Sequence, residues 1–206
     1  WRAHEVNVWL GPQLHAVHYP VRRGELLNVV VIVEGPAPED LTHWDHAANA
    51  LQLARALQGS CAALRDMVGS VEASGGQWRL WPLSDRAPLT GPQGMARGLV
   101  GLIGDAAHPM RPYLAQGAGM AIEDAAELQR ALAMADLDVS TRLRRYALNR
   151  WQRNARVQAR SIRNGEIFHA TGLMRWGRDS ALRLLGSRLM DVPWLYRGDG
   201  ACATGW

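Results

Sequence analysis

The sequence predicts a mixed α/β fold, in which a β-sheet region of about residues 1–83 precedes a helix-rich region of about residues 84–206. Two extended runs within 14–33 have the pattern of a β-hairpin, and the short apolar run at 99–103 is typical of a buried parallel strand. Ala- and Arg-rich stretches after residue 117 favour long helices. Since 48% of the 206 residues are hydrophobic, the chain can bury a core.

The hairpin is the first element that the pattern defines. Its runs LHAVHYPV and ELLNVVVIV are joined by the turn-forming residues RRG. Because side chains alternate along a strand, each face mixes polar and apolar groups, as on a sheet that roofs a pocket. One face of the first strand carries Leu14, Ala16 and His18, and the other carries His15, Val17 and Tyr19.

The rest of the first region is predicted to be helical, with one further strand. GPAPED is a break, after which Thr42 or Asp45 can cap a helix through AANALQLARALQ. A second helix is expected in CAALRDMVGSV. WRLWPL then has the pattern of a strand that Pro82 ends, and a Pro- and Gly-rich loop runs to Gln93.

Residues 97–133 have the pattern of a strand, a loop and a helix. The apolar run 99–103 ends at Gly104, and the helix is expected to start near Gly119. Glu123 and Asp124 then fall in its first turns, where carboxylates complement the positive end of the helix dipole. Further helices are predicted at about 140–164 and in SALRLLGSRLM.

This strand–loop–helix unit has the chemistry of a ligand site. Gly117 and Gly119 carry no side chain, so a planar ligand can approach the backbone, and free N–H groups at a helix start face negative charge. Asp105 follows the strand, where open α/β sheets bind ligands, and its carboxylate can accept hydrogen bonds from sugar hydroxyls. The alternative is that Asp105 caps a turn and the glycines ease packing.

The string GDAAHPMRPYLAQGAGMAIEDAAEL resembles the second flavin-binding motif of class A flavoprotein monooxygenases, in the branch of the salicylate and hydroxynicotinate hydroxylases. HAVHYPVRRGELLNVV is similar to the hairpin of that family's substrate domain. WPLSDRAPL resembles the segment that leads back to its flavin domain, and RYALNRWQRNARVQARSIRNGEIFH resembles its long C-terminal helix. The resemblance implies a substrate-domain portion at 1–83 and the C-terminal part of a Rossmann-like FAD-binding domain at 84–206.

The resemblance also implies a cofactor site. Asp105, which follows Gly104, would bind the ribityl hydroxyls of FAD, and Pro112 would lie beside the isoalloxazine ring. Amides around Gly117, Ala118, Gly119 and Met120 would face the flavin N1 and O2 edge. In such enzymes NAD(P)H reduces FAD, oxygen adds to give a C4a-hydroperoxide, and the terminal oxygen passes to an electron-rich ring carbon.

A phenol-like substrate must lose or share its proton, and several side chains could assist. The catalytic candidates are His18, Tyr113 and Gln116, with His15 and Tyr19 as further ones. For each histidine the alternative is a hydrogen-bonded structural role, and His108 is expected to brace its loop. A metal site at His43 and His46 is disfavoured, because no convincing third ligand accompanies them.

Charge and cysteine content exclude several other classes. All 23 basic residues are Arg, and the net charge is +4, but no nucleic-acid-binding motif accompanies the charge. The Arg-dense stretch 142–188 is expected to be a solvated helix face. Cys61 and Cys202 form no CxxC pair, and no apolar run is long enough to span a membrane, so we expect a soluble, cytoplasmic protein.

The family pattern is incomplete in this sequence. Its GxGxxG motif for the FAD pyrophosphate and its second Asp-Gly motif are both absent from the 206 residues, so we expect a missing N-terminal half or a companion chain. The oligomeric state stays open, with a homodimer among the alternatives. The competing interpretation is a non-catalytic, Arg-rich α/β interaction domain or an inactive fragment. The enzyme interpretation predicts that residues 99–103 form a parallel-sheet strand with Asp105 at its carboxyl end.

Overall fold

A computed structural model describes residues 5–37, 46–47, 50–186 and 192–196. They belong to two compact units, which we treat separately. The first takes in the described residues of 1–83 together with Glu166–Arg178, and the second takes in Ser84–Gly165 with the described residues after Asp179. No helix among the described residues is long and apolar enough to cross a membrane.

A three-stranded antiparallel sheet forms the centre of the first unit. The predicted hairpin is confirmed, and a third strand that the sequence analysis missed pairs with it, giving the order β1–β2–β3. The RRG turn places Arg22 and Arg23 in the left-handed region, with φ of 49° and 59°. The strands are β1 Asn7–Gly11, β2 Leu14–Val21 and β3 Leu26–Val33.

One face of this sheet, the covered face, packs on two helices. Leu14 and Ala16 of β2 are buried with Leu57 before the second helix and with Leu64 and Met67 inside it. Both predicted helices are confirmed, whereas WRLWPL forms only a two-residue strand that pairs with β4. The predicted caps Thr42 and Asp45 lie outside the described residues. The elements are β4 His46–Ala47, α1 Ala50–Ala56, α2 Ala62–Ala73 and β5 Arg79–Leu80.

The second unit packs its core between its helices and the loops before them. Tyr146 and Ala147 are buried with Leu89 and Met95, and Met120 is buried with Val157 in a neighbouring cluster. The predicted helices after residue 117 and at about 140–164 are confirmed. The helix predicted in SALRLLGSRLM begins earlier, at Gly172, and residues 187–190 of that run lie outside the described residues. The end of α4 and the start of α5 belong to the first unit. The helices are α3 Gly117–Leu132, α4 Val139–Phe168, α5 Gly172–Leu185 and α6 Pro193–Tyr196.

The prediction of a buried parallel strand at 99–103 is wrong. Only β7 (Val100–Gly101) is a strand, and it pairs antiparallel with β6 (Ala96–Arg97) through a turn at Gly98, whose φ is +57°. Leu99 is 76% exposed and Val100 is 63% exposed. A parallel ladder needs neighbouring strands, and the described part of the chain offers this run only its own hairpin partner. The apolar composition of this run therefore did not by itself predict how its strand pairs.

The predicted roles of Glu123 and Asp124 are also corrected. The helix begins at Gly117, two residues earlier than expected, and no acidic residue lies in its first turn. Both carboxylates point to arginines of α4 and not to the helix start: Glu123 pairs with Arg153 at 2.6 Å, and Asp124 pairs with Arg150 at 2.8 Å. Side-chain pairing across helices, which the local sequence does not reveal, decided their positions.

Candidate functional site

The motif loop, residues 104–116, leads from the β6–β7 hairpin to the start of α3. It begins with a 3₁₀ turn at Gly104–Ala106, where Gly104 has a φ of +55° and is buried. A Cβ atom at Gly104 would lie 3.2 Å from the Cβ of Ala121, so a glycine is required both by the backbone conformation and by the close approach of α3. This contact places Asp105 beside the start of that helix.

Asp105 and the glycines of α3 lie together, as the motif predicts. The side chain of Asp105 is exposed, and a Cβ atom at Gly117 would lie 3.9 Å from its Oδ1 atom. The side-chain oxygen of Gln116 folds over Gly119, where a Cβ would approach it to 3.2 Å. A carboxylate and a glycine-lined helix start therefore share one exposed surface, with Ala118 and Pro112 also exposed.

The helix start offers fewer free amides than the resemblance implied. The N–H of Met120 donates to the carbonyl of Gln116 at 2.9 Å, so this amide is engaged within the helix. The three preceding amides, of Gly117, Ala118 and Gly119, are the ones that an α-helix leaves without an intrahelical acceptor. The Met120 side chain is buried in the core and does not reach the surface.

Backbone strain also marks this loop. Ala115, immediately before the cap residue Gln116, has a φ of +52°, which is uncommon for a residue with a side chain. Left-handed conformations of this kind cost roughly 1–2 kcal/mol and cluster where a loop is shaped for a ligand. The strain thus falls in the segment that the motif singled out.

Asp124 holds the motif loop from within. It is fully buried and accepts hydrogen bonds from His108 Nε2 at 2.5 Å, Arg150 Nε at 2.8 Å, Asn154 Nδ2 at 3.0 Å and the Gly104 amide at 3.1 Å. Burial alone would raise the pKa of Asp124, but the hydrogen bonds from His108, Asn154 and Arg150 outweigh it and lower the pKa to about 2. The bracing role expected for His108 is confirmed.

Tyr113 is buried against α4. It is 6% exposed, and its ring packs on Gly165 of α4 so closely that a Cβ there would come within 2.5 Å of Cε2. Sequence analysis missed Gly165, because a single glycine within a helix carries no signal of the ring that will cover it. Gln116 is half-buried at the N-cap of α3, beside Gly119.

His18 lies on the covered face of the sheet. It is 1% exposed, and its Nδ1 atom accepts a hydrogen bond of 2.9 Å from the indole of Trp9, which packs against the core of the first unit. Burial lowers the pKa of His18. This placement favours the structural alternative for His18 over substrate contact.

The opposite face of the sheet, the open face, exposes apolar side chains. Val8 and Val30 flank Val17 across the strands and are 44% and 42% exposed, while Tyr19 and Asn28 form a half-buried pair. At one end of this face His15 is covered. Its Nδ1 atom lies 2.6 Å from Nε2 of His169, and its ring meets Phe168 edge-on.

The arginines after residue 142 are not simply a solvated face, and that expectation is corrected. Arg150 and Arg178 are each only 7% exposed. Arg178 donates to the carbonyls of Ile167 and Phe168, and Arg142 donates to three carbonyls before α4. His43 and the side chain of His46 lie outside the described residues, within which no group of acidic, His or Cys residues could hold a metal ion.

Comparison with known proteins gives a consistent set of relatives. Residues 71–161 match the family model described as FAD binding domain. The chain is 35% identical over 198 residues to 3-hydroxybenzoate 6-hydroxylase of Polaromonas naphthalenivorans (strain CJ2), covering 95% of this chain and 47% of that protein. It is 31% identical to salicylate hydroxylase of Pseudomonas putida, covering 97% and 48%.

A solved structure is covered to about the same extent as these relatives. A salicylate hydroxylase substrate complex superposes with a TM-score of 0.78 at 26% identity and covers 97% of this chain and 48% of its own. This chain therefore has the same mixed α/β fold as the matching half of that salicylate hydroxylase structure. The chain spans about half the length of the curated relatives that it matches.

Proposed function

We propose, because this chain belongs to the class A FAD-dependent aromatic monooxygenase family, that the complete protein hydroxylates a small aromatic acid or phenol. In that reaction one oxygen atom of O₂ enters the ring and the other leaves as water, with NAD(P)H as the two-electron donor. The observation that carries the proposal is the shared surface of Asp105 and the glycine-lined start of α3, because it offers a carboxylate and free amides to one ligand.

The chain's residues fit the central and ring portions of FAD. Asp105 would accept hydrogen bonds from the ribityl hydroxyls, and the amides of Gly117, Ala118 and Gly119 would face the N1 and O2 edge. Negative charge there is stabilised by the helix dipole, typically by about 0.3–1 kcal/mol at exposed sites. Pro112 would lie against the ring. When bound, FAD accepts the hydride and delivers the oxygen atom, while the protein holds and orients it.

The open face of the sheet, taken within the first unit alone, has the chemistry to contact an aromatic ring. The exposed Val8 and Val30, with the half-buried Val17 between them, offer an apolar surface to a ring. The Tyr19–Asn28 pair adds polar atoms that would orient a carboxylate or phenol group. Gln116 would supply a polar contact beside the flavin. Tyr113 would act through its ring on Gly165, and we do not assign proton transfer to the buried His18.

Contacts to the FAD pyrophosphate would come from outside these 206 residues. The described glycine-lined helix start would contact one part of an extended dinucleotide, whereas phosphates are usually held at a second glycine-rich turn. We propose that this second element lies on the missing N-terminal half or on a companion chain. The chain's coverage of about half of each relative supports this proposal.

The competing interpretation, an Arg-rich interaction domain, is disfavoured by the placement of the arginines. Arg142, Arg150, Arg153 and Arg178 are each engaged by carbonyls or carboxylates of their own chain, which leaves fewer arginines of this stretch, among them the exposed Arg144 and Arg145, to bind a partner. That interpretation also does not explain why the motif loop is strained and lined with glycines. Binding of an acidic protein or nucleic acid without any flavin would favour that alternative.

The proposal is tested with the complete protein and FAD. We expect NADH or NADPH oxidation that a panel of hydroxylated aromatic acids stimulates, and a hydroxylated product detected by chromatography. Asp105→Ala should weaken FAD binding about tenfold or more through loss of charge-assisted hydrogen bonds, whereas Asp136→Ala, an exposed charge removal, should not. Hydrogen peroxide without any hydroxylated product would reduce the function to that of an oxidase.

A further inference from the structure

The segment 109–113 of the motif loop has no regular secondary structure, yet its carbonyls are held at every second residue. Gln158 Nε2 donates to the carbonyl of Pro109 at 3.3 Å, and Ser161 Oγ donates to that of Arg111 at 2.7 Å. Asn164 Nδ2 donates to the carbonyl of Tyr113 at 3.4 Å. The segment is therefore anchored to α4 at alternate peptide groups, up to the turn that the Ala115 amide closes on the carbonyl of Pro112 at 3.2 Å.

The three donors form a polar rail, defined as Gln158, Ser161 and Asn164. They are three residues apart, a spacing that puts side chains on one side of a helix. All are buried, with exposed fractions of 1%, 0% and 6%. Polar side chains seldom occupy such positions without partners, since an unsatisfied buried polar group costs about 1–3 kcal/mol. Three buried positions of α4 therefore carry polar side chains that bind one loop segment.

Two further contacts involve the first rail residue, Gln158, and the residue after the last one, Gly165. Gln158 Oε1 accepts the Leu89 amide at 3.1 Å, which ties a second loop to the same side chain. After Asn164, Gly165 allows the Tyr113 ring to pack directly on the helix backbone. Two adjacent residues of α4 thereby fix the main chain and the side chain of Tyr113 together.

Pro112 lies between the two carbonyls that Ser161 and Asn164 hold. Pro112 itself is exposed, whereas the three rail side chains are buried. Because proline cannot donate a backbone hydrogen bond and its φ is nearly fixed, its position depends on the peptide groups on either side. The rail residues therefore control where the Pro112 ring lies.

We infer that Gln158, Ser161 and Asn164 are positioning residues, which set the distance between Pro112 and the flavin ring and so the fraction of reducing equivalents that ends in hydroxylated product. This inference rests on the proposed function. Misplacing a reacting group by about 1 Å can cost up to roughly 100-fold in rate. Loosening the rail should therefore release unused oxidant as hydrogen peroxide while leaving overall flavin reduction in place.

The test compares Ser161→Ala with Ser161→Thr, which keeps a hydroxyl, and with Gln152→Ala, an exposed position on the same helix. In the complete, FAD-loaded protein we expect Ser161→Ala to lower the ratio of product to NAD(P)H consumed by about threefold or more, with KM for the aromatic acid within about twofold. The visible circular dichroism of bound FAD should change in the same variant. Ser161→Thr should restore both signals, and Gln152→Ala should resemble the wild type.

A second readout does not depend on activity. Amide hydrogen exchange in residues 110–114 should become faster in Ser161→Ala while exchange in the middle of α4 stays slow. Unchanged coupling and an unchanged flavin spectrum in Ser161→Ala would overturn the inference. A wild-type protein that neither binds FAD nor hydroxylates would refute the proposed function. If the wild type has neither FAD binding nor activity and amide exchange in Ser161→Ala is still faster in the loop, the rail has a purely structural role and the positioning role is refuted as well.

Discussion

His15 of β2 and His169, which follows α4, form a buried imidazole pair with Nδ1 and Nε2 2.6 Å apart. On its other side, His169 Nδ1 lies 2.8 Å from the half-exposed carboxylate of Glu34, so a chain of three titratable groups runs from the surface to the open face of the sheet. Burial, reinforced by the charge of His169, lowers the pKa of His15 from 6.5 to about 4. Two adjacent imidazoles cannot both be charged at low cost.

This pair predicts an acid-sensitive first unit. The pKa of His15 is lower when folded than when unfolded, so the unfolded chain binds more protons between pH 6.5 and pH 4, and stability falls as the pH drops through that window. At 1.36 kcal/mol for each pKa unit, the loss should reach about 3 kcal/mol over the whole window, of which about 2 kcal/mol falls above pH 5. Urea unfolding at pH 7 and pH 5 measures it. His15→Gln should flatten the dependence, and an equally steep curve in that variant would assign the effect to other groups, such as His18.

Removing the charge of Asp124 should destabilise the second unit strongly. In Asp124→Asn the buried guanidinium of Arg150 loses its fully buried partner, and uncompensated buried charges cost about 3–5 kcal/mol. Because Glu123 still pairs with Arg150, we expect the lower end of that range. Glu127→Gln on the same helix removes a more exposed charge and should cost less than about 1 kcal/mol. Equal free energies of unfolding for the two variants would contradict the central role of Asp124.

A methyl group at Gly165 should displace Tyr113. Gly165→Ala puts a Cβ within 2.5 Å of a buried ring, and overpacking of this kind typically costs about 1–3 kcal/mol. Gly177→Ala is the matched control, because this helical glycine of α5 has open space around its Cβ position and should be neutral or stabilising by up to about 1 kcal/mol. Thermal unfolding distinguishes them. If Gly165→Ala were as stable as Gly177→Ala, the ring could not lie where it is described.

Residues 1–206 alone should bind FAD weakly or not at all. They present Asp105 and the amides of 117–119, which we assign to the ribityl and ring portions, and they lack the GxGxxG pattern that would hold the pyrophosphate. Several charge-assisted hydrogen bonds, at roughly 1.5–3 kcal/mol each, are then missing. A fluorescence titration of the purified chain with FAD measures this. Submicromolar affinity without a partner chain would show that the main anchor of the cofactor lies within these residues.

Elements whose cause is local could be predicted from the amino-acid sequence. The hairpin runs carry their own alternation and turn, α1 to α4 carry their helix-favouring composition, and the motif string placed Asp105 beside the glycines of α3. Each of these depends on contacts between residues near each other in the chain, or on a pattern long enough to indicate a family. For the same reason Gly117 and Gly119 could be assigned to a ligand site before any distance was known.

Which neighbours those elements meet depends on packing between residues far apart in the chain. The run 99–103 became an exposed antiparallel hairpin because the described residues contain no parallel partner for it, and Asp124 turned from the helix dipole to Arg150, 26 positions away. His18 went to the covered face because the helices α1 and α2 pack on that side of the sheet. The polar rail on α4 is invisible in sequence, since Ser161 and Asn164 gain their role only from the carbonyls about 50 residues earlier that lie against them.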